Sequence, residues 1–91
     1  MTYTVVAIRE EDGRYSVMCP ALNDAGSFGD TLAEALVMAT EAIALYIQTL
    51  RERGWPVPED NPHVDIDMSD ALEAFVYKLP IREIPEAAAA G

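Results

Sequence analysis

Positive charge is scarce in this sequence. Six Lys and Arg stand against sixteen Asp and Glu, a net charge of −10 at neutral pH. Phosphate binding needs clustered bases, so direct nucleic-acid binding is not expected. A basic protein partner, or solubility alone, suits such a surface. Cysteine is nearly absent: Cys19 stands alone, so no intrachain disulfide and no thiol cage for a metal can form. Histidine is equally sparse, with His63 the single copy. A Cys–His catalytic pair would rest on these two residues meeting in space, and zinc held by them alone lacks ligands. Long unbroken apolar runs are missing too, and none approaches the ~20 residues that cross a bilayer. The opening residues Met1, Thr2, Tyr3, Thr4 and Val5 carry neither a basic region nor a cleavable apolar run. The expected location is the cytoplasm. With 91 residues, the chain makes one small domain, and a domain of that size gains stability from self-association.

What is present is one strong helix, over residues 31–54. Thr31 is placed to cap its first turn, and Glu34, three residues on, completes a capping box. Gly54 suits the left-handed residue that closes a helix, and Pro56 forbids its resumption. Arg51 and Arg53 put positive charge at the negative end of the dipole. Between the caps about 22 residues would run about 33 Å. At ~100° per residue, Leu32, Leu36, Ala39, Ile43, Tyr46, Ile47 and Leu50 share a broad arc, with Ala35 and Ala42 at its edge. That arc calls for a sheet. Opposite it runs a narrow spine of Glu34, Glu41, Gln48 and Glu52. Apolar shoulders flank the spine: Val37 and Ala44 on one side, Met38 and Leu45 on the other. A surface helix normally shows a broad polar face. Here that face has shrunk to a line, and Val37, Met38 and Leu45 are expected to form an interface with a second subunit.

Around the helix the pattern is of strands. Residues 3–9 are apolar on both faces, which places the strand inside a sheet. Asp12 and Gly13 turn the chain. Residues 14–19 alternate, with Tyr15, Val17 and Cys19 on one face, until Pro20 stops the ladder. Ser27 and Phe28 suit a short third strand. After Gly54 come Pro56, Pro58 and Pro62, an extended connector in which Trp55 is expected to fold back onto the helix end. Residues 64–67 alternate briefly. Over residues 72–79, Phe75, Val76 and Tyr77 favour a strand, although Ser69 and Asp70 could cap a short helix there. Pro80 and Pro85 interrupt the remaining residues. The expected fold is α+β: a small, mostly antiparallel β-β-β-α-β sheet with one long helix across one face. The domain is expected to span residues 1–80. Residues 81–91 form an alanine-rich tail with little reason to be ordered.

Catalytic chemistry is hard to assemble from these residues. Asp65 and Asp67 share a strand face, and Glu10, Glu11 and Asp12 cluster in a turn. Metal-dependent hydrolysis needs carboxylates that converge on a pocket, and turn acids are normally solvated. There is no Gly-rich phosphate loop and no serine-centred elbow. No catalytic residue, cofactor or metal site is expected, and the reading is of a non-enzymatic interaction module.

The order of motifs carries a resemblance. An aromatic residue, an apolar run, an acidic turn and then Gly13, Tyr15 and Val17 open the chain. Pro20, Ala21 and Leu22 come next, then Gly29-Asp30-Thr31 with Glu34 and Ala35, then Ala42 to Tyr46, then Gly54, Pro56 and Pro58. Residues 3–60 together resemble the HicB-type antitoxins. The resemblance implies a degenerate RNase H-like fold without nuclease activity, a homo-oligomer (dimer or tetramer), and a small basic HicA-type mRNA interferase as partner, neutralised by being covered. Two features depart from the family pattern. Asn23, Asp24, Ala25 and Gly26 succeed Leu22 where a Leu-Pro-Gly-Cys-like loop is usual. No basic recognition helix comes after Gly54, so operator binding is not carried over. The alternative within the same resemblance is an orphan oligomeric module with no cognate toxin.

Overall fold

A computed structural model of the chain describes residues 1–63 and 73–82. Its elements are strand β1 (Thr2–Arg9), strand β2 (Tyr15–Cys19), strand β3 (Ala25–Gly29), helix α1 (Leu32–Glu52) and strand β4 (Glu73–Pro80). A single 3-10 turn, Pro20–Leu22, lies between β2 and β3. The four strands form one antiparallel sheet in the order β3-β2-β1-β4. The α+β fold is therefore the one expected, with β1 inside the sheet as its two apolar faces require. Residues 72–79, ambiguous in the sequence, are a strand from Glu73 onward. The expected short strand 64–67, and the tail beyond residue 82, lie outside the described residues.

Helix α1 lies closest to β3 and β2, and its buried side chains cover the sheet face formed by alternate side chains of β1 and β2. Tyr3, Val5, Ala7, Val17 and Cys19 meet Ala35, Ala39, Ile43 and Ile47 in one core, completed by Leu22 and Ile81. Small residues at 35 and 39 let the helix backbone approach the strands closely. By length and composition alone α1 would pass as a membrane crossing. Its buried stripe identifies it instead as the core helix of this sheet. The opposite sheet face carries Val6, almost fully buried between its cross-strand neighbours Met18 and Val76.

Both helix ends are explained by the sequence. The Thr31 hydroxyl accepts the Glu34 N–H at 3.1 Å, which is the first bond of the expected capping box. At the other end Gly54 sits at φ +70°. The Gly54 N–H donates to the Arg51 carbonyl at 3.1 Å, and the Trp55 N–H donates to the Leu50 carbonyl at 2.9 Å. These two bonds make a complete Schellman closure. The Trp55 backbone thus turns back on the helix as expected, but its ring does not pack there. It stays 55% exposed, with the Arg53 guanidinium 5.1 Å from its centroid.

Other expectations need correcting. Strand β3 is longer than Ser27 and Phe28, because Ala25 and Gly26 also pair with Cys19 and Met18. Cross-strand pairing, not local propensity, makes those residues a strand. Asn23 and Asp24, both left-handed, turn the chain into it. Ile81, one residue past the expected domain edge, is buried, and its N–H donates to the Met1 carbonyl at 2.7 Å.

Candidate interaction surface

The outward face of α1 is built by the same periodicity that buries its other side. Val37 and Leu45 are 58% and 59% exposed, and Met38 is 43% exposed. Glu34, Glu41 and Glu52 stand exposed among them. Gln48 donates to Glu52 across one turn at 3.2 Å. The Thr40 and Thr49 hydroxyls are occupied by the helix itself, donating to the Leu36 and Leu45 carbonyls. Three of the four expected shoulder residues therefore lie on open surface. Ala44 does not: it is 9% exposed. Seven residues after Val37, it lies about 20° further round toward the sheet, and its single methyl group does not rise above its neighbours.

A second constellation fixes the connector to the sheet. Strand β2 pairs with β1 only from Val6 to Arg9, because Pro20 turns β2 away. The Thr4 N–H is left facing the notch. Asp60 fills it: Oδ1 accepts the Thr4 N–H at 2.7 Å, and Oδ2 accepts the Thr4 hydroxyl at 2.8 Å. Lys78 on β4 reaches the same carboxylate at 3.3 Å. The Tyr3 hydroxyl donates to the Pro58 carbonyl nearby. Burial by itself pushes the Asp60 carboxyl up. The two Thr4 bonds and the Lys78 ammonium outweigh it and hold the carboxyl below its ordinary value. Sequence reasoning missed this clamp. Its one signal was Thr4 itself, a hydroxyl inside an apolar strand, which burial obliges to find a partner.

Beside the first turn, an open hollow of about 180 Å³ is lined by Glu10, Asp12, Arg14, Ser16 and Phe28. Its polar groups are already engaged with one another. Ser16 donates to Glu10 at 3.0 Å, and the Arg14 N–H donates to Asp12 at 3.0 Å. The Arg14 guanidinium pairs with Asp30 at 3.4 Å and lies 5.1 Å from the Phe28 centroid.

The remaining reactive groups stand apart. Cys19 is fully buried, and burial pushes its thiol up despite backbone hydrogen bonds at Leu22 and Ala21. Such a thiol acts as a small apolar side chain. His63 is exposed in the connector, where its N–H donates to Asn61 at 3.1 Å. Asp65 and Asp67 lie outside the described residues. Among the described residues, no group of three or more His, Cys, Asp or Glu is placed to hold a metal ion.

Comparison with known proteins gives consistent results. The family model described as "HicB_like antitoxin of bacterial toxin-antitoxin system" matches residues 3–79. A UPF0150 protein of Synechocystis sp. is 46% identical over 59 residues, which cover 65% of this chain and 75% of that protein. A UPF0150 protein of Thermoplasma acidophilum is 43% identical over 61 residues, covering 67% and 88% respectively. Among solved structures, the N-terminal domain of the Burkholderia pseudomallei antitoxin HicB superposes with a TM-score of 0.64 at 20% identity. The match covers 90% of this chain and 99% of that one. At that identity the likeness is one of fold.

Proposed function

The chain belongs to the HicB-like antitoxin family, and from that premise we propose that it is a protein-interaction module that neutralises a small basic HicA-type mRNA interferase by covering it. The observation that carries this reading is the outward face of α1. There Val37, Met38 and Leu45 stand exposed beside Glu34, Glu41 and Glu52. Exposed apolar side chains supply contact area, and the interleaved acids favour a partner of opposite charge. The net charge of −10 steers a basic protein toward the whole molecule.

A second reading is an orphan module that pairs with copies of itself through Val37, Met38 and Leu45. The exposed apolar trio supports it. The acids weigh against it, because a copy would bring its own Glu34, Glu41 and Glu52 to the same contact.

The test is co-expression with a small basic HicA-type mRNA interferase. The expected results are a complex that survives purification and restored growth of cells producing the toxin. No complex and no rescue would leave the orphan module as the reading.

A further inference from the structure

The large apolar side chains exposed on α1 all crowd around one carboxylate. Glu41 is four residues from Val37, four from Leu45 and three from Met38. Residues three and four apart are surface neighbours on a helix. Glu41 is itself exposed, and among the described residues no hydrogen bond or ion pair engages it. Glu34 and Glu52 stand differently. They lie near the two ends of α1, outside the apolar trio, and Glu52 already accepts from Gln48. A partner that covers Val37, Met38 and Leu45 therefore covers Glu41 as well. A carboxylate taken out of water inside an apolar contact is costly unless a cation meets it there.

This chain does not supply that cation. The helix neighbours of Glu41 are Val37, Met38, Ala44 and Leu45, none of them charged. Arg51, the nearest base along α1, is ten residues on, about 15 Å along the axis. Arg9, Arg14 and Lys78 are each paired with an acid elsewhere. A second copy fails too. Lying parallel about a two-fold axis, it would set Glu41 against Glu41. Lying antiparallel with its Arg51 at Glu41, it would put Gly54 opposite Met38, past the end of the helix, and leave Met38 uncovered.

On the reading that this face binds a basic toxin, we infer that Glu41 is the residue that selects the partner. It demands a surface with one basic side chain flanked on both sides by apolar ones. That pattern must fit within the roughly 10 Å between Met38 and Leu45. It rejects neutral apolar surfaces and further copies of this chain, because each would leave the carboxylate buried and unpaired. Arginine suits the place better than lysine. Its guanidinium is less strongly hydrated than an ammonium and meets a carboxylate through two parallel hydrogen bonds. The net charge of −10 draws any basic protein close. Glu41 then decides which of them stays, since close charge pairs act mainly on dissociation.

The test removes the same unit of charge in two places and measures toxin binding by surface plasmon resonance. Glu41→Gln is nearly isosteric, and Glu11→Gln takes an exposed acid from the turn after β1. Against a purified HicA-type toxin, Glu41→Gln is expected to bind about tenfold more weakly or worse, through faster dissociation. Glu11→Gln is expected to stay within about twofold of wild type. Glu41→Asp, which keeps the charge, is expected to retain most of the affinity. Glu41→Leu joins Val37, Met38 and Leu45 into one apolar stripe. It is expected to lose the toxin and to raise the mass of the free protein, measured by light scattering, above that of wild type. Circular dichroism should be unchanged throughout, because both sites are exposed. Equal losses at Glu41→Gln and Glu11→Gln would overturn the proposal and leave overall charge as the sole attraction. An unraised mass in Glu41→Leu would overturn the part of it that excludes copies. A wild type that binds no toxin would instead overturn the reading on which the inference rests, and the inference with it.

Discussion

Asp60 grips Thr4 twice, by its backbone N–H at 2.7 Å and by its hydroxyl at 2.8 Å, across the notch where β2 leaves β1. Thr4 is 1% exposed, so both groups lose their partner together if Asp60 is truncated. Asp60→Ala should cost about 1–3 kcal/mol, the range for buried polar groups left unsatisfied. Urea unfolding of the purified variant measures it, and an unchanged midpoint would mean that water replaces the carboxylate freely.

The same clamp sets a pH dependence. Against the upward push of burial, the Thr4 bonds and Lys78 hold the Asp60 carboxyl below its ordinary value. A depressed carboxyl contributes its full stability above the unfolded-state value. That contribution fades as the pH falls toward the folded-state value, and is gone below it. Wild type should therefore lose stability on acidification faster than Asp60→Asn, which has no charge to lose. Parallel thermal melts of the two proteins from neutral to strongly acidic pH test this. Parallel curves would remove Asp60 from the acid response.

Two glycines separate close approach from backbone angle. A Cβ on Gly26 would lie 2.7 Å from the Val17 carbonyl carbon on the neighbouring strand. Neither backbone can yield without breaking the β2–β3 ladder. Gly26→Ala should cost about 3 kcal/mol or more, the upper end for overpacking. Gly54 has open space around it but sits at φ +70°, so Gly54→Ala should cost only about 1–2 kcal/mol, the left-handed penalty. Chemical denaturation of both variants gives the ordering, and a larger loss at Gly54 would reverse this account.

Much of the fold was legible because its signals are local. Thr31, Glu34 and Gly54 mark α1 within a few residues of its ends, and the two-faced apolar run of β1 announces an interior strand. Phe75, Val76 and Tyr77 favour β4 over a helix by propensity. The illegible parts depend on distant partners. Asp60 and Thr4 are 56 residues apart in sequence, and their contact exists only because Pro20 opens a notch between β1 and β2. Ala25 and Gly26 carry no strand preference and are made a strand by β2. The helix face was readable to within one residue. Ala44 failed because a rotation of about 20° decides the burial of a side chain as small as a methyl group.

The buried and exposed sides of α1 should respond oppositely to truncation. Ile43 is fully buried, so Ile43→Ala leaves a cavity and should cost about 2–5 kcal/mol. Val37 is mostly exposed, and Val37→Ala should stay within about 0.5 kcal/mol of wild type. Denaturation midpoints of the two variants measure the contrast. A large loss at Val37 at low protein concentration would show that the side chain packs within its own subunit.

Leu45→Glu, alone and with Met38→Glu, distinguishes the two occupants proposed for the α1 face. Both side chains are exposed, so the fold should be kept. Burying each at a contact is worth about 1.5–3 kcal/mol, and an added carboxylate at an apolar contact reverses that gain. If the face meets a second copy, the variants should elute at a lower mass than wild type, whether or not a toxin is present. If it meets a basic toxin, the mass of the free protein should be unchanged, while toxin capture and growth rescue fall. Toxin binding then weakens mainly through faster dissociation, since the added charge still attracts a basic partner at long range. Variants that keep both the wild-type mass and full toxin capture would remove Met38 and Leu45 from either role.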